Sequence, residues 1–175
     1  MITALMVTLT PFTSDTLYLH DTVSHLGTKV NQPLPAYMFL HLKRFKFNRD
    51  KNCKEKLYSY FEYYQEIDFS KYMTMESSAC VYALGGVIVH EGSIDNGHFY
   101  SIVRDRQSGV SNGNDSHWFE VDDDWVGSFD MENLFDDTFG YQVDSEVECD
   151  DGDEADEEYL ATITCAYILV YDRVI

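Results

Sequence analysis

Basic residues are scarce in this sequence. Lysine and arginine number 12 against 31 aspartates and glutamates, a formal net charge of -19. A surface of that sign repels nucleic acid and anionic membrane and suits a basic partner. Long apolar runs are missing as well. The longest uncharged one beyond the amino terminus, "VYALGGVIV" at residues 81–89, is less than half a bilayer span. Residues 1–10, "MITALMVTLT", are apolar but have neither the basic leading region nor the small-residue cleavage site of a secretory signal. The expectation is a soluble intracellular chain, cytoplasmic or nuclear, with no membrane and no nucleic acid among its partners.

Cysteine pairs are also lacking. Cys53, Cys80, Cys149 and Cys165 lie far apart, with no CxxC, so no spacing that clamps zinc is present and neither metal nor cofactor is expected. Cys165, inside the apolar "TCAYILVY", reads as a small buried hydrophobe. Cys53, among Lys51, Lys54 and Lys56, reads as a solvated loop thiol.

What is present is enough for one ordinary domain. The 175 residues are 45% hydrophobic and 15% aromatic, which allows a sizeable buried core. The apolar segments are short, rich in Tyr, Phe and Val, and separated by Gly, Asn, Asp and Ser rather than continued at helical period. Strands are expected near 36–47, 57–63, 80–90, 97–106, 116–122, 124–128 and 163–172. Two short helices are expected: "DFSKYM" from Asp68, and "DMENLFDDTFG", with Asp130 as its cap and Gly140 ending it in the left-handed conformation. Residues 144–158, "DSEVECDDGDEADEE", hold ten acidic residues in fifteen. Self-repulsion predicts an open, solvated insertion, with a docking strip for a basic partner as the alternative.

One histidine stands out. In "HEGSIDNGHFYSIVRD", residues 90–105, an apolar strand enters a Gly-containing loop and "HFYSIV" leaves it, so His98 sits at the mouth of a hairpin. Histidines in strands are more often satisfied structural residues than catalysts. The neighbours of His98 change that balance. Gly97 lets another chain approach closely, and "HWFEVDDDWVGSF" at residues 117–129 is a strand ending in three aspartates. A strand pairing that set one of them beside His98 would fix its tautomer and stabilise the imidazolium, two thirds of a nucleophilic triad.

The ordered blocks "LPAYMFLHLKRFKF" (34–47), "YALGGVIVHEG…NGHFYSIVRD", "WFEVDDDWV" and "CAYILVYDR" (165–173) resemble the carboxy-terminal half of the ubiquitin-specific proteases. The resemblance spans 34–173 with one acidic insertion, and residues 1–33 match no part of the family pattern. It implies an α+β fold: a papain-like cysteine protease lobe dominated by antiparallel strands, over 34–175. It also implies roles. His98 would be the catalytic general base, Asp122 its orienting partner and Asp123 a supporting polar residue. Gly97 and Phe99 would line the channel for the extended tail of ubiquitin, with a loop at residues 91–96 folding over it. Phe99 stands where the family more often has tyrosine, so the ring is kept and the hydroxyl lost.

The family's nucleophilic cysteine lies in an amino-terminal block, roughly GLxNxGNTCYxNS, where a helix start activates the thiol. No such block occurs in this sequence. Two readings follow: the base-bearing lobe of a cysteine deubiquitinase whose partners are ubiquitin, ubiquitinated proteins and a missing amino-terminal lobe, or a catalytically silent ubiquitin-binding or scaffold module. Either way the chain alone is expected to be inactive.

Overall fold

The computed structural model describes residues 4–9, 35–50, 52–70, 80–106, 117–140 and 163–174. Among them are ten strands: β1 Ala4–Leu9, β2 Tyr37–Leu42, β3 Phe45–Asn48, β4 Cys53–Lys56, β5 Glu66–Asp68, β6 Val81–Gly92, β7 Gly97–Arg104, β8 Trp118–Asp122, β9 Trp125–Phe129 and β10 Thr164–Arg173. Eight of them form one sheet in the order β1-β2-β10-β6-β7-β8-β9, with β5 also on β6, and β3 and β4 make a separate hairpin. Every pairing is antiparallel except that of β1 with β2.

Strand β6 is the spine. Eight of its twelve residues are buried, because it has β10 on one side and β7 on the other, so a near-continuous apolar run is the pattern its position demands. Strand β5 takes residues 81–83 on the edge that β7 leaves free. The core gathers Leu40, Leu84, Val87, Ile102, Leu134 and Leu169 at 2% exposure or less. Burying each such side chain contributes about 1.5–3 kcal/mol. Buried tyrosines keep their hydroxyls bonded: Tyr171 Oη donates to Tyr64 O and Tyr82 Oη to Pro35 O, both at 2.5 Å.

Several boundaries differ from those read in the sequence. The expected strand at 36–47 is two strands, β2 and β3, broken at residues 43–44 because the Arg44 side chain turns into the core and its N–H bonds Leu42 O at 2.8 Å. The stretch 57–63 is not a strand of the main sheet. Its rings are used for packing instead: Phe61 and Tyr63 are buried, and Phe61 N donates to Phe139 O at 2.8 Å. Cys53 opens β4 rather than sitting in a loop, and it is exposed. Strands β1, β4 and β5 were not anticipated.

The helix expected from Asp68 does not start there, since Asp68 ends β5; its carboxylate does accept from Ser70 N at 2.8 Å, and 71–79 lie outside the described residues. The second helix forms as a 3-10 turn, Met131–Asn133, running into α1, Leu134–Thr138. Asp130 caps it by accepting from Glu132 N at 3.0 Å, and Gly140 follows at φ +86°. The acidic stretch 144–158, with Cys149, lies outside the described residues.

Candidate active site

The β6–β7 hairpin sets Glu91 opposite His98 and Gly92 opposite Gly97. Strand β8 runs back along β7 with Ser101 opposite Val121. Continuing that register by one residue places Tyr100 opposite Asp122, so His98 reaches Asp122 on the diagonal, a neighbour distance that long side chains span. The reach is made: His98 Nε2 and Asp122 Oδ1 are hydrogen-bonded. Both side chains remain open to solvent, at 46% and 40% exposure. Asp123 follows in the β8–β9 turn at φ 47°, a left-handed conformation that aspartate tolerates.

Charge reinforces the geometry. The hydrogen bond to Asp122 and then that residue's charge raise the pKa of His98, with Asp123 and Glu91 adding to the effect. Nε2 is thus committed to Asp122, and Nδ1 is the ring atom left to take a proton. His98, Asp122 and Asp123 bring their ligand-type atoms within 4.8 Å of one another. The hydrogen bond accounts for the closeness of His98 and Asp122, and adjacency along the chain for that of Asp123.

Strand alternation sends Phe99 and Gly97 to the opposite face from His98. There Phe99, 45% exposed, meets the His90 ring at 4.5 Å and Tyr167 at 5.3 Å between centroids. Phe45 packs on both, at 5.1 Å from His90 and 5.4 Å from Tyr167. A Cβ on Gly97 would stand 2.2 Å from His90 Nε2 and 2.7 Å from Ser93 O. The chain that approaches Gly97 is therefore its own neighbour: the glycine leaves the slot that the His90 ring fills.

Three residues beside the site were not singled out by the sequence. His90 is 3% exposed and its Nδ1 has no partner among the described residues. Burial, then the charges of Lys56 and His98, press its pKa down to about 4. Arg44 is fully buried with no carboxylate bonded to it among the described residues. It donates through Nε to Ala166 O at 3.2 Å and through Nη1 to Leu57 O at 3.1 Å and Ser59 O at 2.5 Å. Lys56 is also buried. Only His90 carried a signal, as a polar residue closing the apolar run 81–89; Arg44 stands beside Lys43 and Lys46, and Lys56 beside Lys54 and Glu55, where a charge is ordinary.

The profile of the family described as ubiquitin carboxyl-terminal hydrolase matches residues 22–171. This chain belongs to the ubiquitin carboxyl-terminal hydrolase family. Ubiquitin carboxyl-terminal hydrolase 15 of Schizosaccharomyces pombe is 29% identical over 153 residues, which are 86% of this chain and 12% of that protein. Ubiquitin carboxyl-terminal hydrolase 7 of Drosophila melanogaster is 28% identical over 140 residues, 79% of this chain and 11% of that protein. The chain thus spans a small fraction of the curated relatives it matches.

Among solved structures, a yeast SAGA DUB module aligns with TM-score 0.61 at 18% identity, covering 97% of this chain and 34% of that one. A SAGA DUB module bound to monoubiquitin aligns with TM-score 0.61 at 17% identity, covering 97% and 35%. At that identity the likeness concerns the fold: an α+β papain-like lobe dominated by antiparallel strands, as the sequence resemblance implied. Within this hydrolase family fold, β7 and β8 are the strands that bring His98 and Asp122 together.

Proposed function

We propose that this chain is the base-bearing lobe of a cysteine-type deubiquitinase that cleaves peptide and isopeptide bonds after the last glycine of ubiquitin. The observation that carries the reading is the hydrogen bond between His98 Nε2 and Asp122, which leaves Nδ1 of a half-exposed ring as the proton acceptor. In the reaction His98 takes the proton of a cysteine thiol, the thiolate attacks the carbonyl carbon, and the imidazolium then protonates the leaving amine. Asp122 holds the ring and favours its charged form; Asp123 adds negative charge at the same place. The solved relative with monoubiquitin supports ubiquitin as the ligand.

The nucleophile is supplied by a further, amino-terminal lobe in this proposal. Among the described cysteines, Cys80 and Cys165 are buried at 1% and 0% exposure, and Cys165 Sγ donates to His90 O at 3.7 Å. A second reading rests on the same fact: with no thiol bonded to His98 among the described residues, the chain is a ubiquitin-binding module without turnover.

The two readings separate in one set of assays. The 175-residue chain alone is expected to leave a fluorogenic ubiquitin substrate intact and to form no adduct with a ubiquitin carboxy-terminal electrophile. Joined to a cysteine-bearing lobe from a relative, it is expected to turn over, and His98→Ala is expected to lower kcat by about 10³-fold or more, as removal of one member of such a unit does. Unchanged turnover in that variant would sink the base assignment. An adduct on the isolated chain would point to one of its own cysteines, identified by serine substitution.

A further inference from the structure

Lys56 closes strand β4 at a place where an apolar residue would be cheaper. It is 7% exposed, and no carboxylate among the described residues is bonded to its ammonium. Burial is the first cause that lowers its pKa, so folding is working against this charge. What the ammonium finds inside is a set of three main-chain oxygens: His90 O at 3.2 Å, Gly92 O at 2.6 Å and Ile163 O at 3.4 Å. A lysine ammonium has three N–H donors, which these carbonyls and the neighbouring Cys165 side chain surround.

Those carbonyls are not scattered. His90 and Gly92 flank Glu91, and Glu91 is the cross-strand partner of His98. Gly92 adopts φ +84° as the chain leaves β6 for the loop at 93–96, and its N–H bonds Ile163 O at 3.4 Å, just ahead of β10. One ammonium therefore joins the end of β6 to the entry of β10, at the end of the hairpin from which His98 projects. The Tyr58 ring, with its centroid 4.8 Å from Nζ, covers the charge on another side.

We propose that Lys56 is a positioning residue for His98: by holding the carbonyls on either side of Glu91, it sets the hairpin mouth in the register from which His98 reaches Asp122. The β6–β7 ladder reaches Gly92↔Gly97 and the β6–β10 ladder reaches Thr164↔Glu91, but the β7–β8 ladder stops at Ser101↔Val121, so how the hairpin end lies against β8 depends on what fastens it from the side, where Lys56 acts. His98 reaches Asp122 on a diagonal, and a small swing of the hairpin end breaks that reach. A core lysine used only as filler would have no reason to spend its donors on this one corner.

This inference rests on the reading of His98 as the base, but its test does not need turnover. Lys56→Met keeps the chain length and removes the donors. In the 175-residue chain, the His98 ring is followed by NMR as pH is changed, with thermal midpoints recorded alongside. Leu134→Ala serves as a comparator, since Leu134 is fully buried in α1 and its truncation lowers the thermal midpoint by opening a cavity without touching the β6–β7 mouth.

In Lys56→Met the titration midpoint of His98 is expected to fall by on the order of half a pH unit, a threefold change in protonation, toward the ordinary histidine value. In Leu134→Ala it is expected to stay. Equal His98 titration in wild type and Lys56→Met, with a lowered thermal midpoint, would show that Lys56 is structural only and would overturn the proposal. If Lys56→Met does not fold, Lys56→Gln, which keeps two N–H donors and drops the charge, carries the same comparison. Turnover that survives His98→Ala in the completed enzyme would remove the base assignment and leave the measured hold of Lys56 on His98 standing.

Discussion

At the scale of single residues, two histidines on one hairpin are pushed in opposite directions. Asp122 raises the pKa of His98 above the ordinary 6.5, while burial lowers that of His90 to about 4. The contribution of His98 to stability is complete below pH 6.5 and is lost as pH rises through its elevated value. The contribution of a neutral buried His90 is present above pH 6.5 and is lost as pH falls toward 4. An NMR titration is expected to show both displacements, and Asp122→Asn is expected to return His98 toward 6.5 while leaving His90 in place. Gly97 is the second sensitive residue. With the Cβ of an alanine 2.2 Å from His90 Nε2 and 2.7 Å from a main-chain oxygen, Gly97→Ala is expected to cost about 1–3 kcal/mol, the usual penalty of overpacking, measurable by denaturant unfolding.

At the scale of elements, the buried cations replace ladder bonds where strands break. Arg44, two residues past the end of β2, turns inward and fastens the irregular segment at 57–59 to β10 through Leu57 O, Ser59 O and Ala166 O. Removing it leaves three carbonyls without these donors, each worth about 1–3 kcal/mol when orphaned, partly offset by no longer burying a charge. Arg44→Leu is therefore expected to lose about 3 kcal/mol, a fall of roughly 6–12 °C in thermal midpoint for a chain of this size. Arg44→Lys is expected to recover only part of it, since an ammonium lacks the planar fork that spans three acceptors. In the sequence Arg44 stood in "HLKRFKF" as one more residue of a strand from 36 to 47. The break was invisible because the oxygens that draw the guanidinium inward come from residues as far away as Ala166.

At the scale of the whole molecule, the charge of -19 acts on everything else. Raising ionic strength from 0.01 M to 0.15 M shortens the screening length from about 30 Å to about 8 Å, which weakens the repulsion among the acidic residues more than the contacts of buried groups. The thermal midpoint is expected to rise by a few degrees over that range, as read by calorimetry at fixed pH. The same acidity favours a basic ligand surface, and through it the encounter rate more than the affinity.

The sequence by itself determined the long central strands and the placing of an aspartate of residues 122–124 beside His98, with Asp122 singled out by the family resemblance. Both are written in local pattern: an apolar run that ends at a glycine for β6, a Gly-His-aromatic start for β7, and a strand ending in aspartates for β8. The register of adjacent antiparallel strands then follows from connections along the chain. The tertiary structure alone decided the short strands β1, β4 and β5, the burial of Arg44, Lys56 and His90, and the use of Gly97 as the slot for the His90 ring. Each of these depends on contacts between segments far apart in the chain, and a charged side chain is stable inside only where distant main-chain oxygens converge on it, which no local pattern encodes.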